Sequence, residues 1–264
     1  MANIPDNHPL KTVIGGEPVL AESAHFVVKI AETADEIAGA QQLRFDVFRL
    51  EQGRMPGFAG CVTDSDRYDQ LCAHLLVLEK ASGRIAGTYR VCDGAAAMAA
   101  GGFYSDGEFD ITGLAELAPR VVELGRSCVA PEFRTGAVVA LLWEGVAAIH
   151  RRKKFDYMLG CVSLEHTDCA IGKAVYQELV ARGYTTDKIH AGPKPDYELD
   201  DAAPAALSRS EVVREMPPLL KGYLRVGAKI CGAPALDRAF GSIDFPVWFD
   251  FLNLPEKYAK HFNV

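Results

Sequence analysis

The chain has 264 residues, 49% of them hydrophobic and 24% charged, with 28 Lys+Arg against 35 Asp+Glu and a formal net charge of −7. That length holds one large domain or two small ones, and the apolar content suffices for a core. A pI near 5.5 argues against the basic footprint a nucleic-acid binder needs, and no apolar run of about 18 residues offers a spanning helix.

Residues 1–24 are mixed and punctuated by Pro and Gly, with neither a basic leader nor a continuous apolar stretch. They are expected to form a loosely attached arm of a cytoplasmic chain. HFVVKIA (25–31) predicts a strand. Ile37, Ala40, Leu43, Val47 and Leu50 then recur at helical spacing, and Thr33 with Glu36 forms a capping box for that helix. HLLVLE and RIAGTYRV (74–79, 84–91) predict two strands joined by a Ser-Gly turn, and RVVELGRSCV (120–129) a third strand ended by Pro131. Thr135-Gly136 opens a helix closed by the basic run 150–154; YMLGCVSL (157–164) predicts a buried strand; Asp168 to Arg182 predicts a helix with Gly183 at C′. Residues 191–216 are acidic and rich in Pro, Ala and Ser, and read as an irregular connection; the segments after them return to an apolar, aromatic pattern. This order of elements predicts an α/β or α+β sheet with helices on its faces. The domain division it suggests is an arm over 1–24, a core over 25–190, and an extension over 191–264 packed on the same domain.

Seven cysteines (61, 72, 92, 128, 161, 169, 231) lack any CxxC pair and read as reduced, buried thiols. The missing ligand spacing argues against zinc.

Four charged residues stand in apolar segments: Arg44, Arg90, Glu123 and Arg126. Charge in a core strand is costly unless paired, so these form either a buried salt-bridge network or a polar site. Glu123 and Arg126 are three apart and would face opposite sides of a regular strand; a bulge is needed to bring them together. Asp66 and Asp69 follow the same logic in a loop, where a solvated or capping pair is the simpler reading. Arg134, Thr135, Gly136 and Ala137 precede an amphipathic helix and form an anion site in principle, against the alternative of an ordinary strand-to-helix connection. Cys128 has no base fixed to it by spacing and, as a buried strand thiol, is expected to be inert.

The blocks RFDVF (44–48), DRYD (66–69), HLLVLE with GTYRV, ELGRSCVAPEFR (123–134), LLWEGV (141–146) and PPLLKGYLRVGA (217–228) together resemble the N-acyltransferases that make lyso-ornithine lipid. That family lies in the GNAT superfamily and is related to acyl-homoserine lactone synthases, whose spaced polar and aromatic positions are matched here by Arg44, Phe48, Asp66, Asp69, Arg90, Glu123 and Arg126. The resemblance implies a GNAT-like fold with a mixed central sheet, and transfer of a 3-hydroxyacyl chain from acyl carrier protein to the α-amine of an amino acid, ornithine first. Other implied readings are the same reaction on glutamine, an acyl-homoserine lactone synthase, and a non-catalytic acyl or carrier-protein binding module. No metal or other cofactor is expected.

Under this resemblance Glu123 is the candidate base or water-orienter, Arg126 holds it, and Tyr176 resembles the acid that protonates the leaving thiolate. Tyr176 reads equally well as a core aromatic. Arg44 and Arg90 suit an α-carboxylate, Asp66 or Asp69 a cationic side chain, and backbone N–H near Cys128 and Val129 the oxyanion. Phe48 completes the substrate-binding set. Arg134 to Ala137 is a shortened, Gly-poor version of the GNAT pyrophosphate turn, which favours the single phosphate of phosphopantetheine over coenzyme A. The run 150–154, with Lys221, Arg225 and Lys229, offers a landing patch for an acidic carrier protein. Phe245, Trp248 and Phe251 are expected to close an acyl tunnel or touch a bilayer, with peripheral contact at the inner membrane inferred from a lipid product.

Overall fold

The computed structural model describes residues 17–51, 63–254 and 256–257. In chain order, β1 (Val19–Glu22), β2 (Phe26–Ile30), α1 (Ala34–Phe45), β3 (Ala73–Glu79) and β4 (Ile85–Asp93) precede the short helix α2 (Gly94–Ala99). Then come β5 (Phe109–Thr112), α3 (Leu114–Leu117), β6 (Val121–Val129), α4 (Ala137–Lys153), β7 (Tyr157–Leu164) and α5 (Cys169–Ala181). The chain continues through β8 (His190–Pro193), α6 (Arg209–Glu215), α7 (Pro218–Val226), β9 (Lys229–Ile230), β10 (Ala235–Asp237) and β11 (Ser242–Asp250).

Among the described residues these elements divide into two compact units, one formed by residues up to Gly101 with Val122–Phe155, the other by Gly102–Val121 with the described residues from Asp156 onward. The second unit draws strands from both sides of residue 190.

In the first unit, β1, β2, β3, β4 and β6 pair antiparallel in that order. Pairing of Val19–Glu22 with β2 replaces the expected loose arm at that position; residues 1–16 lie outside the described residues. Pleat alternation gives the sheet two faces. Helix α4 covers the face bearing Val28 and Leu75 so closely that a Cβ at Gly145 would fall 2.8 Å from Leu75 and 2.9 Å from Val28. Helix α1 covers the other, where Ala40 packs with Leu76 and Ala31, and Leu43 with Cys128 and Ala130. Its start is the expected capping box, Thr33 and Glu36 each bonding the other's backbone. Beyond Phe45 the helix widens into a π-helical turn over Asp46–Glu51.

In the second unit, β11 pairs antiparallel with β7 along Ile243–Asp250 and also meets β10 and β9; β5 pairs with β8. Helix α5 has Asp168 as N-cap and ends at Gly183, φ +67, as expected of a C′ glycine. Residues 191–216, expected to be irregular, contain part of β8 and helix α6, the latter opened by a capping box of Ser208 and Glu211. The aromatic tail is interior: Phe245 and Trp248 are fully buried in β11, and Trp248 stacks on Tyr157 with centroids 4.9 Å apart. That burial removes these two residues from any contact with a bilayer. Among the described residues, no helix is long and apolar enough to cross a membrane.

Candidate active site

The polar residues of the first unit converge on the face that α1 covers. His74 stands opposite Arg90, and Cys92 opposite Glu123, so alternation places His74, Arg90, Cys92 and Glu123 on one side of the sheet. The expected bulge is present in β6: Arg90 pairs with Gly125, but Thr88 with Cys128, leaving two residues against one. Arg126 sits in it at φ +53. A left-handed conformation costs a non-glycine residue roughly 1–2 kcal/mol, and it persists where the surroundings hold it. Arg126 is held by carboxylates: its guanidinium is 3.4 Å from both Asp64 and Asp66. The bulge also resets the alternation, so that Glu123 and Cys128, five apart, both face α1.

Arg44, at the C-terminal turn of α1, is the most enclosed of these charges. Its side chain is 1% exposed and donates Nη1 to Asp69 Oδ1 at 2.8 Å, Nη2 to Asp69 Oδ2 at 2.9 Å and Nε to Asp64 Oδ2 at 2.9 Å, with a further bond from Nη2 to the Asp64 carbonyl. Arg90 donates to Asp66 Oδ1 at 2.7 Å and Asp69 Oδ1 at 3.2 Å. Asp66 caps the 3₁₀ turn Arg67–Gln70 by accepting from the Tyr68 N–H, and Asp69 accepts the Asp66 N–H, a reciprocal pair that stiffens the loop. His74 Nε2 lies 3.0 Å from the Asp69 carbonyl, which fixes the end of the same turn. Sequence reasoning singled out Asp66 and Asp69 but missed Asp64 and Arg49. The TDSDRYD pattern (63–69) held a signal for Asp64, since three aspartates crowd one short loop.

These contacts set the protonation states. Burial alone would raise Asp69, but hydrogen bonds and charge from Arg44, with Arg90, hold its carboxyl far below the ordinary carboxylate range. Asp66 follows the same balance, with Arg90 and Arg126 prevailing over burial. Burial, with Arg44 and Arg90 close by, pushes His74 below its usual value, so the imidazole is neutral at pH 7 and donates from Nε2. Glu123 is buried, 4% exposed.

The remaining expected residues fall as follows. Phe48 packs from the π-helical turn onto Leu43, Val47, Cys128 and Ala130. Cys128 is buried, and burial pushes its thiol up to about 12, which rules out a thiolate nucleophile at neutral pH. Cys61 lies outside the described residues. The strand bend falls at Arg126–Ser127, while Cys128 and Val129 are back in register with β4. The Ala130 N–H bonds the Ala86 carbonyl, and the alternation this sets turns the Val129 N–H away from β4. Gly136, φ +84, begins α4 without a capping side chain, so its first-turn N–H groups point out from a 17-residue helix. Arg134 is engaged by Glu51 through two bonds, 2.5 and 2.7 Å, and by the Val129 carbonyl at 3.1 Å. Tyr176 belongs to the second unit, half-buried on α5.

One acidic group of the second unit was not foreseen: carboxylate oxygens of Glu108, Asp237 and Asp244 lie within 4.8 Å of one another. Burial, aided by the charge of Asp237, pushes Asp244 above its ordinary value.

Comparison with known proteins places this geometry in context. A family model described as an acetyltransferase (GNAT) domain matches residues 43–144, which span Arg44 through the first half of α4. The L-ornithine N(alpha)-acyltransferase of Brucella abortus (strain 2308) is 35% identical over 261 residues, covering 95% of this chain and 93% of that protein. The protein of the same name from Agrobacterium fabrum (strain C58 / ATCC 33970) is 35% identical over 248 residues, covering 89% and 84%. Among solved structures, the CoA-dependent acyl-homoserine lactone synthase BjaI matches with a TM-score of 0.50 at 14% identity, over 87% of this chain and 82% of that one. The AHL synthase LasI matches with a TM-score of 0.50 at 14% identity, over 87% and 91%. At such identity these two structures show a shared fold.

Proposed function

We propose, from the premise that this chain belongs to the L-ornithine N(alpha)-acyltransferase family, that it moves a 3-hydroxyacyl chain from acyl carrier protein to the α-amine of ornithine and releases a lyso-aminolipid. The chain is an acyltransferase of GNAT-like fold. The observation that carries the ornithine reading is the 35% identity sustained over 95% of the chain.

The site supports an acceptor with both a carboxylate and a cationic side chain. Arg44 and Asp69 are bound to each other and act by positioning the loop, which leaves Arg90 and Asp66 from the sets first considered. Asp66 is the most open carboxylate of the network, its side chain 24% exposed, and it stands between Arg90 and Arg126. An ornithine δ-ammonium pairs with Asp66, and its α-carboxylate with the guanidinia beside it. Phe48 contributes apolar surface to the substrate from the π-helical turn. The α-amine loses a proton before its lone pair attacks the thioester carbonyl; Glu123, on the α1 face, accepts that proton directly or through one water. The Val129 N–H, with the strand around Cys128, meets the oxyanion. The carrier's thiolate departs and takes up a proton from solvent.

Acyl carrier protein as donor is supported by the short turn Arg134 to Ala137, which offers fewer donors than a diphosphate requires. The run 150–154, whose Lys153 and Lys154 are exposed, adds basic surface for an acidic partner. The test presents 3-hydroxyacyl carrier protein, or the matching acyl-CoA, with a panel of ornithine, lysine, glutamine and adenosylmethionine, and reads the products by mass. The expected product is N-acylornithine from the carrier protein. Preference for glutamine overturns the acceptor, equal use of acyl-CoA overturns the donor, and a homoserine lactone or no product overturns the reaction.

A further inference from the structure

Asp64 is outside every substrate contact assigned above, yet its single carboxylate meets guanidinia from three separate elements. Oδ2 accepts from Arg44 Nε of α1 at 2.9 Å and lies 3.4 Å from Arg126 Nε on the bulge; Oδ1 is 3.9 Å from Arg49 Nη2 on the π-helical turn. The residue is itself clamped to α1, because its N–H donates to the Gln41 carbonyl at 3.2 Å and its carbonyl accepts from Arg44. The side chain is 5% exposed, so little solvent screens these charges.

Two consequences follow from the arrangement. Arg44, Arg49 and Arg126 carry like charge, and the Asp64 carboxylate between them offsets their repulsion. Arg126 also has a left-handed backbone that needs external restraint, and Asp64 supplies part of it from a loop clamped to α1 rather than from the strand itself.

We propose that Asp64 is a positioning residue for acyl transfer, aiming the Arg126 guanidinium at the acceptor position and tying that aim to α1. The inference rests on the assignment of Arg126 and Asp66 to the acceptor. Misplacement of a group by about 1 Å can cost about 100-fold in rate, which sets the scale of the effect.

The test is a kinetic cycle on full-length protein with Asp64→Asn, Arg126→Gln and the double variant, with wild-type turnover measured first. If wild type acylates another amino acid instead of ornithine, the acceptor reading fails and the cycle proceeds with that amino acid. Expected is a fall of about 10- to 100-fold in kcat/KM for the acceptor on Asp64→Asn, with the KM of the acyl donor unchanged. In the Arg126→Gln background the same change is expected to cost less than about 3-fold, because the group it aims is gone. Losses that multiply, an equal rise in both KM values, or wild-type kinetics overturn the proposal. Should Asp64→Asn fail to fold, Asp64→Glu retains the charge while displacing the carboxylate. It is expected to fold and to show the same acceptor-specific loss, and wild-type kinetics in that variant overturn the proposal.

Discussion

Arg44 and Asp69 meet fork to fork, Nη1 to Oδ1 at 2.8 Å and Nη2 to Oδ2 at 2.9 Å, on side chains 1% and 4% exposed. The pair joins the end of α1 to the turn that presents Asp66, so one buried contact determines where the open carboxylate of the site stands. Lysine keeps the charge of arginine but cannot reproduce the fork. Arg44→Lys is therefore expected to destabilise the protein by about 2 kcal/mol, and Arg44→Ala by about 3–5 kcal/mol, since it leaves buried carboxylates uncompensated. Urea unfolding measures both, and an Arg44→Lys variant as stable as wild type contradicts the positioning role.

The acid limb of stability follows from the same loop. Burial works against ionisation of Asp69 and Asp66, but Arg44 and Arg90 for the first, and Arg90 and Arg126 for the second, hold both below the unfolded-state value near 3.8. Lowered carboxyls contribute stability that is fully present above the unfolded pKa and lost as pH falls through the folded one. Melting temperature is expected to be flat from pH 7 to 5 as far as these groups determine it, and to fall below pH 4. Asp66→Asn should flatten that fall, and thermal melts between pH 3 and 7 show whether it does.

In the second unit the sign reverses. Burial, with the neighbouring charge of Asp237, raises Asp244, whose stabilising protonated form is fully populated below the unfolded pKa and lost as pH rises through the folded one. Asn supplies a neutral amide of similar shape that still accepts from Ser242, which donates to Asp244 Oδ1 at 3.1 Å. Asp244→Asn is expected to raise the melting temperature at pH 8 and to lessen the loss of stability towards alkaline pH. Unchanged melting at pH 8 contradicts this account of the three carboxylates.

Glu51 and Arg134 bear on the donor. The carboxylate engages both terminal nitrogens of Arg134 at the start of α4, where a phosphate of the donor is proposed to bind. Both side chains are about two-fifths exposed, so the pair adds little stability. Glu51→Gln is expected to leave melting unchanged and to lower the KM of the acyl donor several-fold at low salt. Arg134→Ala is expected to raise that KM. A donor KM indifferent to both substitutions places the phosphate elsewhere.

Much of the first unit was legible in the chain because its signals are local. Thr33 and Glu36 mark a capping box three residues apart, and the odd spacing of Glu123 and Arg126 demands the bulge that β6 contains. Asp64 was harder to read, since a loop aspartate has no periodicity and its partners Arg44 and Arg126 are 20 and 62 residues distant. The tail misled for a different reason. Pro246 speaks against a central strand, yet β11 carries it between Cys161 and Cys231, with the Pro246 carbonyl accepting the Cys231 N–H at 3.0 Å. Phe245 and Trp248, expected to close an acyl tunnel or touch a bilayer, are buried in the strand that carries this proline. The capping box of Ser208 and Glu211 was present in the sequence but submerged in an acidic, Pro-rich composition.

The central claim is that the α-amine of ornithine attacks an acyl thioester with Glu123 receiving the proton. The most direct measurement is single-turnover acylation of ornithine by 3-hydroxyacyl carrier protein, for wild type and Glu123→Gln from pH 6 to 9, with tandem mass spectrometry locating the acyl group. The account predicts α-N-acylornithine from wild type, and a Glu123→Gln rate reduced by about 10²- to 10⁴-fold that recovers as pH rises and the free amine becomes abundant. Acylation on the δ-nitrogen, or a Glu123→Gln rate equal to wild type across that range, would contradict it.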